Sequence, residues 1–259
     1  MIIKYNYHTH TKRCGHAKGE DEEYVLRAIQ DGYKVLGFSD HVMLPGIIQK
    51  GIRGNYELLE DYVDSINSLR EKYKDKLTIY CGFECEYFDK FVSYYKKLLD
   101  EKIADYLILG QHFYMNENDE IISCSFRSKD PVESLKRYEE NLLKGMSSGL
   151  FKYVAHPDLF CLLNDEWTEE FEVVVKRICK ASLEYNIPLE INLCRTESED
   201  KTRWKYPRDE FWKIAGEYGV RVVIGADAHY PEMLDIVAFD LAFKLIKKYK
   251  LNYEEKLDI

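Results

Sequence analysis

The sequence predicts an α/β fold whose parallel sheet closes into a barrel of seven βα units. Three observations carry that expectation. Short β-branched and aromatic runs alternate with amphipathic stretches along the whole chain. The runs are apolar almost throughout, as strands buried on both faces are. All seven histidines lie on the C-terminal side of those runs. In an open sheet such strand ends are strung along a line. In a closed barrel they ring one mouth, where barrel enzymes keep their active sites.

The elements follow in order. "IIKYNY" (2–7) reads as a strand, and "EDEEYVLRAIQDG" (20–32) as a helix with acidic residues in its first turn. "KVLGFS" (34–39) is the second strand, followed by a long loop and a helix over 56–74. "LTIYCGFE" (77–84) precedes a helix over 90–101, and "DYLILGQ" (105–111) precedes a loop and a helix opening at Pro131, a favoured first-turn residue. "FKYVAH" (151–156) leads to a helix over 167–186, and "PLEINL" (188–193) to a polar loop and a helix from Pro207. "RVVIGAD" (221–227) leads to a last helix over 233–248. No Pro/Gly/Ser-rich linker or internal repeat divides the chain, so one domain over 1–259 is expected.

Composition narrows the function classes. A net charge of −9 argues against a dedicated nucleic-acid binder, which usually carries a basic patch. It does not argue against a small phosphorylated substrate, because bound metal reverses the local sign of the field. Seven cysteines at irregular spacing, with no C-x-x-C, do not form a disulfide framework and point to a reducing cytoplasm. "MIIKYNYHTH" lacks the apolar segment of a signal peptide, and no run of apolar residues is long enough to span a membrane.

The candidate site residues sit where strands end. His8 and His10 end the first strand and His16 follows in its loop; Asp40 and His41 end the second, Glu84 the third, His112 the fourth and His156 the fifth. Asp227 and His229 end the seventh. Imidazole and carboxylate clusters of this size commonly bind divalent metals. Residues two apart on an extended strand point the same way, so His8 and His10 can grip one ion, and "DAH" (227–229) repeats the arrangement. The set is too large for one tetrahedral ion and suits two or three. Taken alone, His112 or His16 would read as a surface residue, and His156 before Pro157 as a turn residue; the joint placement carries the metal reading. Spacing leaves Glu84 and Glu86 as alternatives on one side of the third strand.

"H-T-H", "C-G-H", "S-D-H", "G-F-E", "G-Q-H-F", "H-P-D" and "D-A-H", in this order from residue 8 to residue 229, resemble the motif series of the PHP (polymerase and histidinol phosphatase) superfamily. "HTHTKRCGHA", "LGQHF" and "HPDLF" look most like its monofunctional histidinol-phosphate phosphatases. The resemblance implies a distorted seven-stranded (β/α)7 TIM-like barrel with three divalent metal ions, Zn, Mn or Fe. It implies that His8, His10, Glu84 and Asp227 hold one ion, that Glu84 bridges to a second held also by His112 and His156, and that His16, His41 and His229 hold the third. It favours Glu84 over Glu86 as the ligand.

The chemistry expected of such a centre is hydrolysis of a phosphomonoester by a hydroxide bridging two ions, with Asp227, His229, Glu84 and Asp40 as the catalytic set. Asp40 is a candidate to orient a ligand imidazole; a turn or helix-cap role is its plain alternative. Phosphate contacts should include arginine. Arg195 ends the sixth strand, which carries no ligand, and is favoured; Arg127, Arg53 and Arg203 lie in loops on the same side. Glu86, Phe113 and Phe160 are further substrate-contact candidates, and Cys14 reads as a residue shaping the loop before His16. The leading expectation is hydrolysis of L-histidinol phosphate. Nucleotides, nucleic-acid ends or phosphotyrosine are the alternative substrates for the same site, and metal storage without turnover is the alternative class. No nucleic-acid or membrane partner is expected, and oligomeric state is unreadable.

Overall fold

A computed structural model describes residues 3–125, 128–194, 206–235 and 239–259. The chain alternates as the sequence predicts. β1 (Tyr5–Asn6), α1 (Asp21–Gln30), β2 (Val35–His41), α2 (Leu59–Tyr73), β3 (Thr78–Cys85), α3 (Val92–Asp100) and β4 (Tyr106–Leu109) come first. A hairpin of β5 (Phe113–Met115) and β6 (Ile121–Ser123) follows, then α4 (Pro131–Ser147), α5 (Glu169–Glu184), β7 (Leu189–Asn192), α6 (Asp209–Tyr218), β8 (Arg221–Gly225), α7 (Asp240–Tyr249) and β9 (Asn252–Tyr253). Helix starts follow their capping chemistry. Glu20 and Glu23 form a reciprocal capping box on α1, and the Asp130 and Thr168 side chains accept the Glu133 and Phe171 N–H groups at α4 and α5.

β1–β4 make one parallel sheet in sequential order, and β7, β8 and β9 make a second. Single parallel bridges tie the two together: Val154 to Leu109 and to Leu189 on one side, and Thr9 to Ala228 on the other. The result is a curled parallel α/β sheet. It departs from seven full staves in three places. Residues 151–156 hydrogen-bond to β4 (Lys152 N–H to Leu107 O and Ala155 N–H to Leu109 O, each 2.9 Å) and to β7, yet form ladder bridges only at Val154. The β5–β6 hairpin and the C-terminal β9, which pairs with β8, were not expected. These are local signals too short for period-2 patterning to register.

Alternation sorts the strand residues onto two faces. Leu36, Phe38, Leu107, Leu109, Val222 and Ile224 pack in the main core with the helices. Tyr7, Val35, Tyr106, Ile108, Tyr153 and Val223 form a separate inner cluster. The Tyr106 hydroxyl donates to Tyr7 O at 2.7 Å and Phe38 O at 3.1 Å. A Cβ on Gly82 would lie 2.5 Å from the Tyr106 ring, so glycine there makes room for this plug. Continuing the inner-face alternation towards the strand ends reaches His41, Glu84, Glu190, Asn192 and Asp227. No helix among the described residues is long and apolar enough to cross a membrane.

Candidate metal centre

Backbone pairing brings the ligand candidates together. The N–H of His10 donates to Ala228 O at 2.9 Å and that of Ala228 to His8 O at 3.3 Å, so the first and last motifs run side by side. Asn6 fastens this seam: its Nδ2 donates to His8 O at 3.1 Å and its Oδ1 accepts Ala226 N–H at 2.9 Å. The β2–β3 register places His41 opposite Glu84. A Cβ on Gly110 would lie 2.0 Å from Glu84 Oε1, so that glycine leaves the space the carboxylate fills. His156 and Asp227 have left-handed backbones, φ 33° and 49°. Such strain costs about 1–3 kcal/mol per residue and is retained where surrounding bonds enforce it.

Glu84 is the hub. Its Oε1 lies 2.5 Å from His156 Nε2 and 3.6 Å from His112 Nε2. Its Oε2 lies 3.0 Å from His41 Nδ1, 3.5 Å from His10 Nε2 and 3.7 Å from His8 Nε2. Asp227 Oδ1 lies 3.0 Å from His10 Nε2 and 3.5 Å from His8 Nε2. Towards the mouth, His16 Nε2 and His229 Nε2 are 2.9 Å apart, and the His229 ring stacks on His10 with centroids 4.2 Å apart. All seven histidines, Glu84 and Asp227 therefore meet in one place. His8, His10 and Asp227 form one group whose ligand atoms lie within 4.8 Å of each other; His8, Glu84 and His156 form another, and His10, His41 and His229 a third. His10 belongs to two of these groups.

The carboxylates draw positive charge into the cluster, and they push the neighbouring imidazoles of His8, His10 and His112 up in basicity against the effect of burial. Burial alone would raise Glu84 and Asp227. The surrounding imidazoles outweigh it and hold both carboxyls well below their ordinary values. Burial, reinforced by His10, lowers His229 to about 3 and holds His41 well below the ordinary imidazole value. Both therefore offer neutral nitrogen lone pairs. Glu84 Oε2, Asp227 Oδ1 and His41 Nδ1 are buried without a hydrogen-bond partner. Buried orphan atoms are costly, and three of them in one nitrogen/oxygen cluster fit a divalent ion that would satisfy them.

Most of the imidazoles are oriented through the nitrogen that faces away from the cluster. His8 Nδ1 meets Glu190 Oε1 at 2.9 Å, His10 Nδ1 meets Asp40 Oδ1 at 3.4 Å, and His112 Nδ1 meets Glu86 Oε1 at 3.2 Å. His229 Nδ1 meets Asp227 O at 2.9 Å. Asp40 lies within β2, buried, and reaches the imidazole of His10 rather than that of its neighbour His41; from His41 it accepts the backbone N–H at 2.9 Å. The sequence reading did not single out Glu190, Asn192 or Asn6. The signal for Glu190 was a lone charge inside the apolar run "PLEINL".

The remaining candidates fall in different places. Arg53 is buried and fully engaged: Nη2 donates to Glu86 at 2.9 Å, Nη1 to Val42 O at 3.0 Å and Nε to Gln49 at 2.5 Å. It holds Glu86, which holds His112. Phe113 lines the cavity over the cluster, which measures about 600 Å³. Phe160 packs in the core against Tyr138 and Phe171. Burial pushes the Cys14 thiol up to about 12. Its Sγ accepts Ala17 N–H at 3.3 Å, closing the turn that carries His16. Arg127, Arg195 and Arg203 lie outside the described residues. Lys18 lines the cavity and is its sole lysine or arginine among the described residues.

A family model described as "PHP domain" matches residues 6–193. The chain is 26% identical over 231 residues to a "probable histidinol-phosphatase" of Deinococcus radiodurans, covering 86% of this chain and 85% of the relative. It is 25% identical over 268 residues to the histidinol-phosphatase of Lactococcus lactis, covering 95% and 91%. A crystal structure of the Lactococcus lactis histidinol phosphate phosphatase, complexed with zinc, L-histidinol and phosphate, has the same fold. It matches with TM-score 0.76 and 19% identity, covering 100% of each chain.

Proposed function

The chain belongs to the PHP domain family, and from that premise we propose that it hydrolyses L-histidinol phosphate to L-histidinol and inorganic phosphate. The observation that carries the reading is that six of the seven histidines line one cavity with Glu84 and Asp227, while the seventh, His8, lies 3.5 Å from Asp227. The names of the relatives, and the zinc, histidinol and phosphate bound by the Lactococcus lactis enzyme, support the substrate. The reading includes a complete seven-unit barrel over 1–259 and three ions, Zn, Mn or Fe. His8, His10, Glu84 and Asp227 would hold one, Glu84, His112 and His156 the second, and His16, His41 and His229 the third. Bound there, the ions would supply charge neutralisation for the phosphoryl oxygens and acidify the water that attacks phosphorus.

The protein's own contribution is placement. Glu84 and Asp227 remain ionised because imidazoles surround them. Asp40, Glu86 and Glu190 hold the imidazoles they touch in fixed orientations. Phe113 and the other cavity walls limit water around the phosphoryl group, and Lys18 is placed to meet an anion entering the cavity. Arg127 and Arg195 are the arginines we assign to the phosphate. Attack by water forms one P–O bond and breaks the ester P–O bond, releasing the alcohol. The test is a substrate panel on metal-reconstituted protein with metal content measured on the same sample. We expect kcat/KM for L-histidinol phosphate at least about tenfold above simple aryl and alkyl phosphates, a difference of about 1.4 kcal/mol in transition-state binding. Equal values would remove the substrate and leave the phosphatase. No phosphate release from any monoester would remove both.

A further inference from the structure

We propose that Glu190 is a positioning residue that sets the tautomer of His8 and so decides whether His8 can bind an ion; the inference rests on the metal-centre reading above. Glu190 is fully buried on β7, a strand that carries none of the ligand candidates. Its two oxygens meet three nitrogens. Oε1 faces His8 Nδ1 at 2.9 Å, and Oε2 accepts His156 N–H at 3.0 Å and Asn192 Nδ2–H at 2.9 Å. Asn192 Nδ2 also lies 3.1 Å from Asp227 Oδ2. One carboxylate thus touches His8, braces the left-handed backbone of His156, and reaches Asp227 through Asn192. A Cβ on Gly225 would stand 1.8 Å from Oε1, so a glycine on β8 opens the space for it.

The chemistry is asymmetric. An ionised carboxylate only accepts hydrogen bonds. It therefore requires the proton of His8 on Nδ1, which leaves the Nε2 lone pair facing Glu84 and Asp227. Glu190→Gln keeps the shape and replaces one acceptor with an NH₂ donor. The His156 backbone N–H cannot change role, so the amide oxygen stays on that side. The NH₂ then faces His8 Nδ1, which must become the acceptor. The His8 proton moves to Nε2, and the lone pair that would bind the ion is lost. A merely space-filling Glu190 would have no such effect, because glutamine fills the same volume.

The experiment is histidine ¹⁵N NMR and zinc stoichiometry on zinc-loaded wild type, Glu190→Gln and Glu190→Asp. We expect wild-type His8 to carry its proton on Nδ1, and Glu190→Gln to carry it on Nε2 with affinity for one ion about 10–100-fold weaker. Glu190→Asp, still an anion, should restore the Nδ1–H form. A wild-type His8 protonated on Nε2 overturns the proposal whether or not the glutamine variant folds. So does a glutamine variant with wild-type shifts and zinc content. Wild type that takes up no zinc overturns the metal-centre reading itself, and this proposal with it.

Discussion

The floor and the mouth of the cavity are built from the same residue types and held differently. At the floor, Glu84, Asp227, His8, His10 and His156 are almost completely buried. His8 and His10 there each lean on a second carboxylate, Glu190 and Asp40. At the mouth, His16 is exposed and follows the left-handed Gly15 in a loop, and His229 is half-buried with its Nδ1 on a backbone carbonyl. Partial desolvation and the charge of His10 lower the basicity of the outer pair, and the carboxylate beside His229 Nδ1 is Asp227, a ligand candidate itself, at 3.4 Å rather than a separate supporting residue. The contrast teaches that the number of oriented imidazoles does not by itself set the rigidity of a site. What sets it is how many of them are fixed by a partner on their far side.

Four substitutions break or sharpen this contrast. Glu84→Ala removes the carboxylate that floor and mouth share. We expect a loss of activity of about 10³-fold or more, with metal content by elemental analysis falling by more than one ion. His16→Ala should strike the mouth alone, lowering kcat/KM by about 10²-fold and removing one ion while the others stay; loss of all metal would show the two regions to be one cooperative unit. Gly225→Ala tests the floor from behind, since its Cβ would meet Glu190 at 1.8 Å. Overpacking of this kind costs about 1–3 kcal/mol, readable as a lower denaturant midpoint, together with weaker metal binding.

The smallest effect is expected at Asp158, behind the floor in the turn that carries His156. Its Oδ2 accepts the Arg208 N–H at 2.7 Å and the Trp212 Nε1–H at 3.1 Å, while Oδ1 has no partner. Burial raises its carboxyl from 3.8 to about 7. The folded chain therefore holds this proton more tightly than the unfolded one. That contribution to stability is complete below about pH 3.8 and is lost as pH rises to about 7. Asp158→Asn should flatten the decline and raise Tm at pH 8 by about 3 °C, leaving metal content unchanged. A parallel decline in both proteins would reject the assignment.

The alternation of strands and helices was legible in the sequence because long amphipathic periods survive without tertiary context. α1, β2, β3 and α5 fall within a few residues of their expected ranges. The stretch 151–156 was read as a strand from its composition; it lies hydrogen-bonded between β4 and β7, but with ladder bridges only at Val154. β-propensity records fit to a pleated surface and says nothing about how many neighbours a strand finds. The ligand candidates were legible because histidine is scarce and each sits at a strand end. Their supporting residues were not. Arg53 looked like a phosphate ligand from its place in a loop, and only the structure engages its guanidinium with Gln49, Val42 O and Glu86. Glu190 looked like an ordinary strand residue.

By itself, then, the sequence determined the residue types that meet at the strand ends and the α/β order that carries them there. Both follow from local chemistry: donor identity, hydrophobic period and turn-forming residues. Only the tertiary structure decided which nitrogen of each histidine faces the cluster, because that depends on a partner distant in sequence, as Glu190 is from His8 and Glu86 from His112. A tautomer is chosen by the hydrogen bond on its far side, and no spacing along the chain specifies where that bond comes from.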